Sequence, residues 1–183
     1  MAKLIIGLTG TFSSGKDTVA DYLVKKGFFH LSLSDIVREE CQKIGRYNSR
    51  DDLIKTANEL RQKHGSGILA KMALERTRGK EKIVISSIRN PGEVEELKGA
   101  GIFFLLAIDA PIELRYERAK KRGKIDDWVT FEKFKAQEEF ERKGNEFQQQ
   151  LDKVIALADF KIINDSTLEE LYRKVDNILK EIF

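Results

Sequence analysis

The sequence predicts an α/β fold: a three-layer domain built on a five-stranded parallel sheet. Three observations carry this. Apolar strand-like runs alternate with helical periodicities along the whole chain, as successive strand–helix units require. Two of those runs, Lys82–Ser86 (KIVIS) and Ile102–Ile108 (IFFLLAI), are almost unbroken in hydrophobicity, which suits strands covered on both faces. A glycine-rich turn joins the first strand to the first helix. With 183 residues, 41% hydrophobic and 34% charged, the chain fits one domain, 1–183, with its own core, and composition excludes disorder and disulfide scaffolds.

The elements follow in order. Leu4, Ile5, Ile6 and Leu8, bounded by Gly7 and Gly10, read as a buried strand. Val19, Ala20, Leu23 and Val24 recur at helical spacing and Gly27 stops them, giving a helix over 16–26. Phe28–Leu33 is a second strand, after which Asp35 is placed to cap a helix carrying Ile36, Val37 and Ile44. Ser49 starts a helix over 50–64 with Leu53, Ile54, Ala57 and Leu60 as its stripe, and Gly65-Ser66-Gly67 precedes another through Leu69, Met72, Ala73 and Leu74. Pro91 opens a short helix that ends at Gly99. Residues 112–122 and 130–147 read as two charged helices, Phe160–Ile163 as the fifth strand and 168–183 as an amphipathic closing helix.

Charge narrows the function. Thirty-three basic and 30 acidic residues leave +3, which supplies no strong overall field, so nucleic-acid binding would need a local basic patch such as the basic helix and is the weakest reading. The single cysteine, Cys41, forms no internal disulfide and suits a reducing compartment. With no run of 18 apolar residues and no signal-peptide pattern, the chain reads as soluble and cytoplasmic, without a membrane partner. His30 and His64 lack metal-ligand spacing and read as structural.

The strongest chemical signal is Gly10-Thr11-Phe12-Ser13-Ser14-Gly15-Lys16-Asp17-Thr18, which fits GxxxxGK between a strand and a helix. Glycines let consecutive N–H groups curl around a phosphate, the helix N-terminus adds positive charge, and Lys16 reaches the outer phosphates. Gly10, Ser13, Ser14, Gly15, Lys16, Asp17 and Thr18 are therefore the candidate nucleotide contacts. Asp17 stands where the general motif has Ser or Thr, so either Asp17 or Thr18 is left to ligate Mg²⁺.

From this loop onward the chain resembles the P-loop nucleotide kinases. The opening GLTGTFSSGKDTVADYL looks most like the branch with dephospho-coenzyme A kinase and the phage-type deoxynucleoside monophosphate kinases. LSLSDIVREE, SSIRNPGE, ERAKKRGK and ADFKIINDSTLEEL look especially like the kinase-like domain preceding some deoxycytidylate deaminases. A deaminase HxE…PCxxC signature is absent, so deamination is not implied.

The resemblance implies ATP and Mg²⁺ as cofactors and a phosphorylated, nucleotide-like small molecule as partner. Asp35 would then lie near the attacking oxygen, and Arg38 and Arg89 would bind the acceptor phosphate. On their own terms Asp35 is equally a helix cap and Arg38 a solvated charge. Helices over 35–78 would form the acceptor-binding region, with Arg61 a further contact. Residues 113–124 hold six basic side chains against two acidic ones, as a lid over transferring phosphates needs. Of these, Arg118 and Arg122 share a helix face and are the candidate catalytic arginines with Lys16 and Asp35. The lid region spans 113–147. Its Phe131, Phe134, Phe140 and Phe147 read as packing groups, while Trp128 has no assigned role. Asn164, before the last helix, resembles the segment wrapped around adenine and equally reads as a turn residue, with Asp165 or Ser166 as cap. Where many P-loop kinases end the third strand in an acid, this chain has Ser86 and Ser87, which keeps a non-catalytic nucleotide sensor as the second reading. Monomer and homodimer are both compatible with the sequence.

Overall fold

Strand β1 (Leu4–Gly10) lies at the centre of a five-stranded sheet in the computed structural model of the protein, which describes residues 3–47, 49–123 and 129–183. Trp128 and Lys124 lie outside the described residues. The other strands are β2 (Phe29–Ser32), β3 (Lys82–Ser86), β4 (Ile102–Asp109) and β5 (Phe160–Ile163), in the spatial order β2-β3-β1-β4-β5. Every pairing is parallel, as the continuous hydrophobicity of β3 and β4 predicts.

The helices are α1 (Lys16–Lys25), α2 (Leu33–Lys43), α3 (Arg50–His64), α4 (Ile68–Arg76), α5 (Pro91–Lys98), α6 (Ile112–Lys121), α7 (Phe131–Arg142), α8 (Leu151–Ala156) and α9 (Leu168–Ile182). Side chains alternate across the strands and split the core in two. Ile5, Ile83, Ile85 and Leu105 meet α2, α4, α5 and α8 on one face. Leu4, Ile6, Leu8, Val84, Leu106 and Ile108 meet α1 and α9 on the other. Three layers result, and burying each of these large aliphatic side chains contributes about 1.5–3 kcal/mol. The strand order reverses at β1, which opens a crevice at its C-terminal end where the glycine-rich loop sits.

Local chemistry departs from expectation at three places. Ser32, not Asp35, caps α2, its Oγ accepting from Ser34 N at 3.3 Å. Thr167, not Asp165 or Ser166, caps α9 by accepting from Glu170 N at 3.2 Å. The charged run to residue 147 stops at Arg142, because at Gly144 the chain turns back on itself: Gly144 N donates to Gln149 O at 2.9 Å, and a Cβ there would meet that oxygen at 2.4 Å. The short α8 that follows was not expected from the sequence; its Leu151 and Val154 are buried. Among the described residues no helix is long and apolar enough to cross a membrane.

Candidate active site

The loop between β1 and α1 is held in a shape that demands its glycines. At Gly10 φ is +134°, and a Cβ would lie 1.9 Å from the Ile108 carbonyl oxygen of the neighbouring strand. At Gly15 φ is +105°, and a Cβ would strike the Asn164 amide at 2.4 Å. Ser13 takes a left-handed φ of 59° without being glycine, a strain typical of ligand-holding loops. The buried hydroxyls of Ser13 and Ser14 have no hydrogen-bond partner among the described residues, which is costly unless a ligand satisfies them. Lys16, nearly buried, donates to the carbonyls of Gly10 at 2.9 Å and Thr11 at 2.5 Å, so its ammonium stays beside the loop. The resulting cradle encloses about 100 Å³.

The cradle opens directly into a larger cavity of about 280 Å³, and Phe12, Ser34, Arg38, Ser87 and Arg89 line both. One wall of the cavity is apolar, made by Leu33, Val37, Leu53, Ile54 and Leu69 from α2, α3 and α4. The other wall carries arginines. Arg38 pairs with Asp35 at 2.6 Å, so Asp35, itself outside the cavity wall, reaches the site through Arg38. Arg89 donates to Gln149 Oε1 at 2.9 Å, and burial pushes its guanidinium below the usual arginine range. Arg61 is fully buried, donating to Glu93 Oε1 at 3.1 and 2.8 Å and to Asn58 Oδ1 at 3.5 Å, so its charge is already neutralised. The second oxygen of Glu93 accepts from the backbone N–H of Arg89 at 2.8 Å and of Asn90 at 3.1 Å, which fixes the turn that presents Arg89.

On the other side of the loop, Ser13, Gly15 and Thr18 face Arg118, Arg122 and Asn164 across a hollow of about 270 Å³. Arg118 donates to the Asn164 carbonyl at 3.0 Å, and partial burial followed by repulsion from Arg122 lowers its pKa. Arg122 also lines the cradle. Lys120 points elsewhere, over the Tyr116 ring at 5.6 Å. Asn164 also clamps the loop, its Nδ2 donating to Ser14 O at 2.8 Å. Phe134 is buried against Phe12 and Tyr116, whereas Phe140 is exposed.

Strand β3 ends in hydroxyls. Ser86 Oγ lies 2.8 Å from His30 Nε2, and Ser87, at a left-handed φ of 64°, lies 3.1 Å from Ser32 Oγ. Burial lowers the His30 pKa, so the ring is neutral at pH 7. Among the described residues no group of three or more His, Cys, Asp or Glu is arranged to hold a metal ion. Asp17 is the one acidic side chain among the described residues lining the cradle, and Thr18 faces the hollow beyond it. This donor set fits a Mg²⁺ ion that takes most of its ligands from phosphate oxygens and water.

Comparison with known proteins places the chain. A family profile described as an AAA domain matches residues 6–157. A protein of Sulfurisphaera tokodaii, named UPF0200 protein, is 39% identical over 97% of each chain. The chain belongs to the UPF0200 family. The UPF0200 protein MJ1399 of Methanocaldococcus jannaschii is a further relative, 33% identical over 98% of this chain and 90% of its own. Neither relative is named a dephospho-coenzyme A kinase, so the resemblance to P-loop kinases stands at the level of fold. That fold is shared with shikimate kinase from Aquifex aeolicus (TM-score 0.59, 20% identity, 97% and 96% of the two chains covered). It is also shared with the Mycobacterium tuberculosis APS kinase CysC solved in complex with AMPPNP and APS (TM-score 0.53, 18% identity, 98% of each chain).

Within this UPF0200 structure, sequence reasoning missed Arg50, Glu93 and Glu141. Arg50 and Glu141 line the larger cavity, and Glu93 anchors the Arg89 turn from beneath. Arg50 opens a helix and Glu141 sits in a charge-rich one, so each looks like a solvated surface charge. A signal existed only for Glu93, three residues after Asn90 in the Asn90-Pro91 capping box.

Proposed function

We propose that the chain is an ATP- and Mg²⁺-dependent phosphotransferase whose acceptor is a nucleotide-like phosphomonoester, a nucleoside or deoxynucleoside monophosphate. The observation that supports this reading is the continuity of the loop cradle with an arginine-lined cavity, which would bring a donor phosphate in the one beside an acceptor phosphate in the other. An oxygen of the acceptor phosphate attacks the γ-phosphorus while its bond to the bridging oxygen breaks and ADP leaves. That oxygen is already deprotonated at neutral pH, so no general base is required, and Asp35 serves by orienting Arg38. Lys16 and the arginines Arg118 and Arg122 neutralise charge on the transferring group, and Arg38 with Arg89 holds the acceptor. Gly10, Ser13, Ser14, Gly15 and Thr18 wrap the donor phosphates, and Asn164 braces them through Ser14. Asp17 or Thr18 would hold the Mg²⁺, which would supply charge neutralisation on the donor phosphates. The apolar wall suits a flat base. Dephospho-coenzyme A is the alternative acceptor, by a different attack: a ribose hydroxyl would be the nucleophile, and its proton would need a base, for which Asp35 is the candidate. The helices over 35–78 act as the acceptor-binding region and 113–147 as the lid of one domain.

The serine end of β3 favours a second reading, a sensor that binds nucleotide without turnover. ADP release from Mg·ATP across nucleoside and deoxynucleoside monophosphates and dephospho-coenzyme A separates the two. Acceptor-dependent release that vanishes in Lys16→Ala is expected. Silence across the panel, with nucleotide binding intact, would replace the kinase reading by the sensor.

A further inference from the structure

Two arginines from separate elements converge on one carboxylate in the acceptor cavity. Glu141 of α7, only 5% exposed, accepts from Arg50 Nε at 3.0 Å and Nη2 at 2.6 Å on Oε1, and from Arg89 Nη1 at 3.5 Å on Oε2. Arg50 also lies over the Phe12 ring of the phosphate loop, 4.5 Å from its centroid. Two guanidinium groups thus share a single negative charge in a half-buried place. Their mutual repulsion adds to the desolvation that already lowers the Arg89 pKa. A carboxylate balances one of the two charges; a phosphomonoester, which carries close to two negative charges at neutral pH, balances both and offers three oxygens to the two forks.

We propose that Arg50, Arg89 and Glu141 form an exchange site for the acceptor's phosphate dianion. Glu141 holds the two arginines together in the unliganded chain and yields them to the phosphate when the acceptor enters. This rests on the phosphotransferase reading for the identity of the ligand. The exchange also has a mechanical consequence. Phe134, Glu138 and Glu141 lie at i, i+4 and i+7 on one face of α7. Phe134 packs on Phe12, and Glu138 pairs with the buried Arg115, whose Nη1 donates to the Phe12 carbonyl at 3.3 Å. Releasing Glu141 therefore removes one tie at the far end of α7 and leaves another, the Arg142–Asp152 pair at 3.4 Å, while the near end stays fastened to the donor loop, so acceptor entry loosens how α7 sits on that loop.

The test is calorimetric titration of the full chain with inorganic phosphate and, beside it, a nucleoside monophosphate. Both are run in a Lys16→Ala background so that the donor loop contributes little. If the bridged form outnumbers the open one by about ten to one, Glu141→Gln tightens phosphate about tenfold by removing the internal competitor. Arg50→Gln is expected to weaken it by a similar factor, and the double variant is expected to lose the gain. A Glu141→Gln protein that binds phosphate no better than its parent, or less well, overturns the exchange. Phosphate tightening without the same order among variants for the monophosphate overturns its assignment to an acceptor. Should Glu141→Gln not fold, hydrogen exchange on the unsubstituted chain decides. Phosphate is expected to lower amide protection around Glu141, and unchanged or greater protection refutes the proposal. Absence of acceptor-dependent ADP release from the unsubstituted chain, with the phosphate order among the Lys16→Ala variants intact, counts against the kinase reading alone; the reverse pattern counts against the exchange alone.

Discussion

Glu93→Ala is expected to be among the most damaging single substitutions outside the apolar core. The Glu93 side chain is fully buried and takes four hydrogen bonds: two from Arg61, which is 2% exposed, and one each from the backbone N–H of Arg89 and Asn90. Removing it leaves the Arg61 guanidinium buried without a counter-charge, which costs about 3–5 kcal/mol. Orphaning two partly buried backbone N–H groups adds about 1 kcal/mol or more. For a domain of this size each kcal/mol lowers the melting temperature by about 2–4 °C, so Glu93→Ala is expected to melt about 10–20 °C below the parent. The double variant Arg61→Met/Glu93→Gln removes the buried charge while keeping an acceptor for both N–H groups, and is expected to recover most of that loss. Thermal denaturation followed by circular dichroism measures both. A Glu93→Ala chain melting within about 3 °C of the parent, or a double variant melting below the single one, would refute the reasoning.

Other expectations follow from the same geometry. Gly10→Ala sets a Cβ against the Ile108 carbonyl at 1.9 Å where β1 meets β4, and is expected to lower the melting temperature by more than about 10 °C in the same assay. Arg118→Ala is expected to lower acceptor-dependent ADP release about a hundredfold, as losing one preorganised charge donor does, whereas Lys120→Ala, which sits over Tyr116, leaves it within about twofold. Because burial depresses the His30 pKa below 6.5, the unfolded chain binds the proton more readily. His30 stabilisation is therefore complete above that value and lost as pH falls from 6.5 toward the folded-state pKa. Melting temperatures between pH 7.5 and 5 are expected to fall less steeply in His30→Gln; equal slopes would contradict this.

Much of the fold was legible because the signals are local. Unbroken apolar runs in β3 and β4, the 3.6-residue stripe of α9 with Leu171, Val175 and Ile178, and the Pro91 helix start all depend on neighbours within a turn or two. The cap of α2 was misplaced because Ser32 and Asp35 are both chemically able to cap, and only the backbone conformation at Ser32 chooses between them. The end of α7 escaped because its charge pattern continues past Gly144, and the turn is held by a hydrogen bond to Gln149.

The site divides the same way. The sequence alone marked the glycine-rich loop, since the GxxxxGK spacing between a strand and a helix is a local signal. It also marked which arginines stand at the C-terminal ends of strands. Only the tertiary structure decided what each charge does, because a charged side chain takes its meaning from a partner distant in sequence. Arg61 is neutralised by Glu93, 32 residues on, and Asn164 clamps Ser14 from 150 residues away. Arg50 meets Glu141 across 91 residues, and folding around a parallel sheet brings both to the cavity beside the loop.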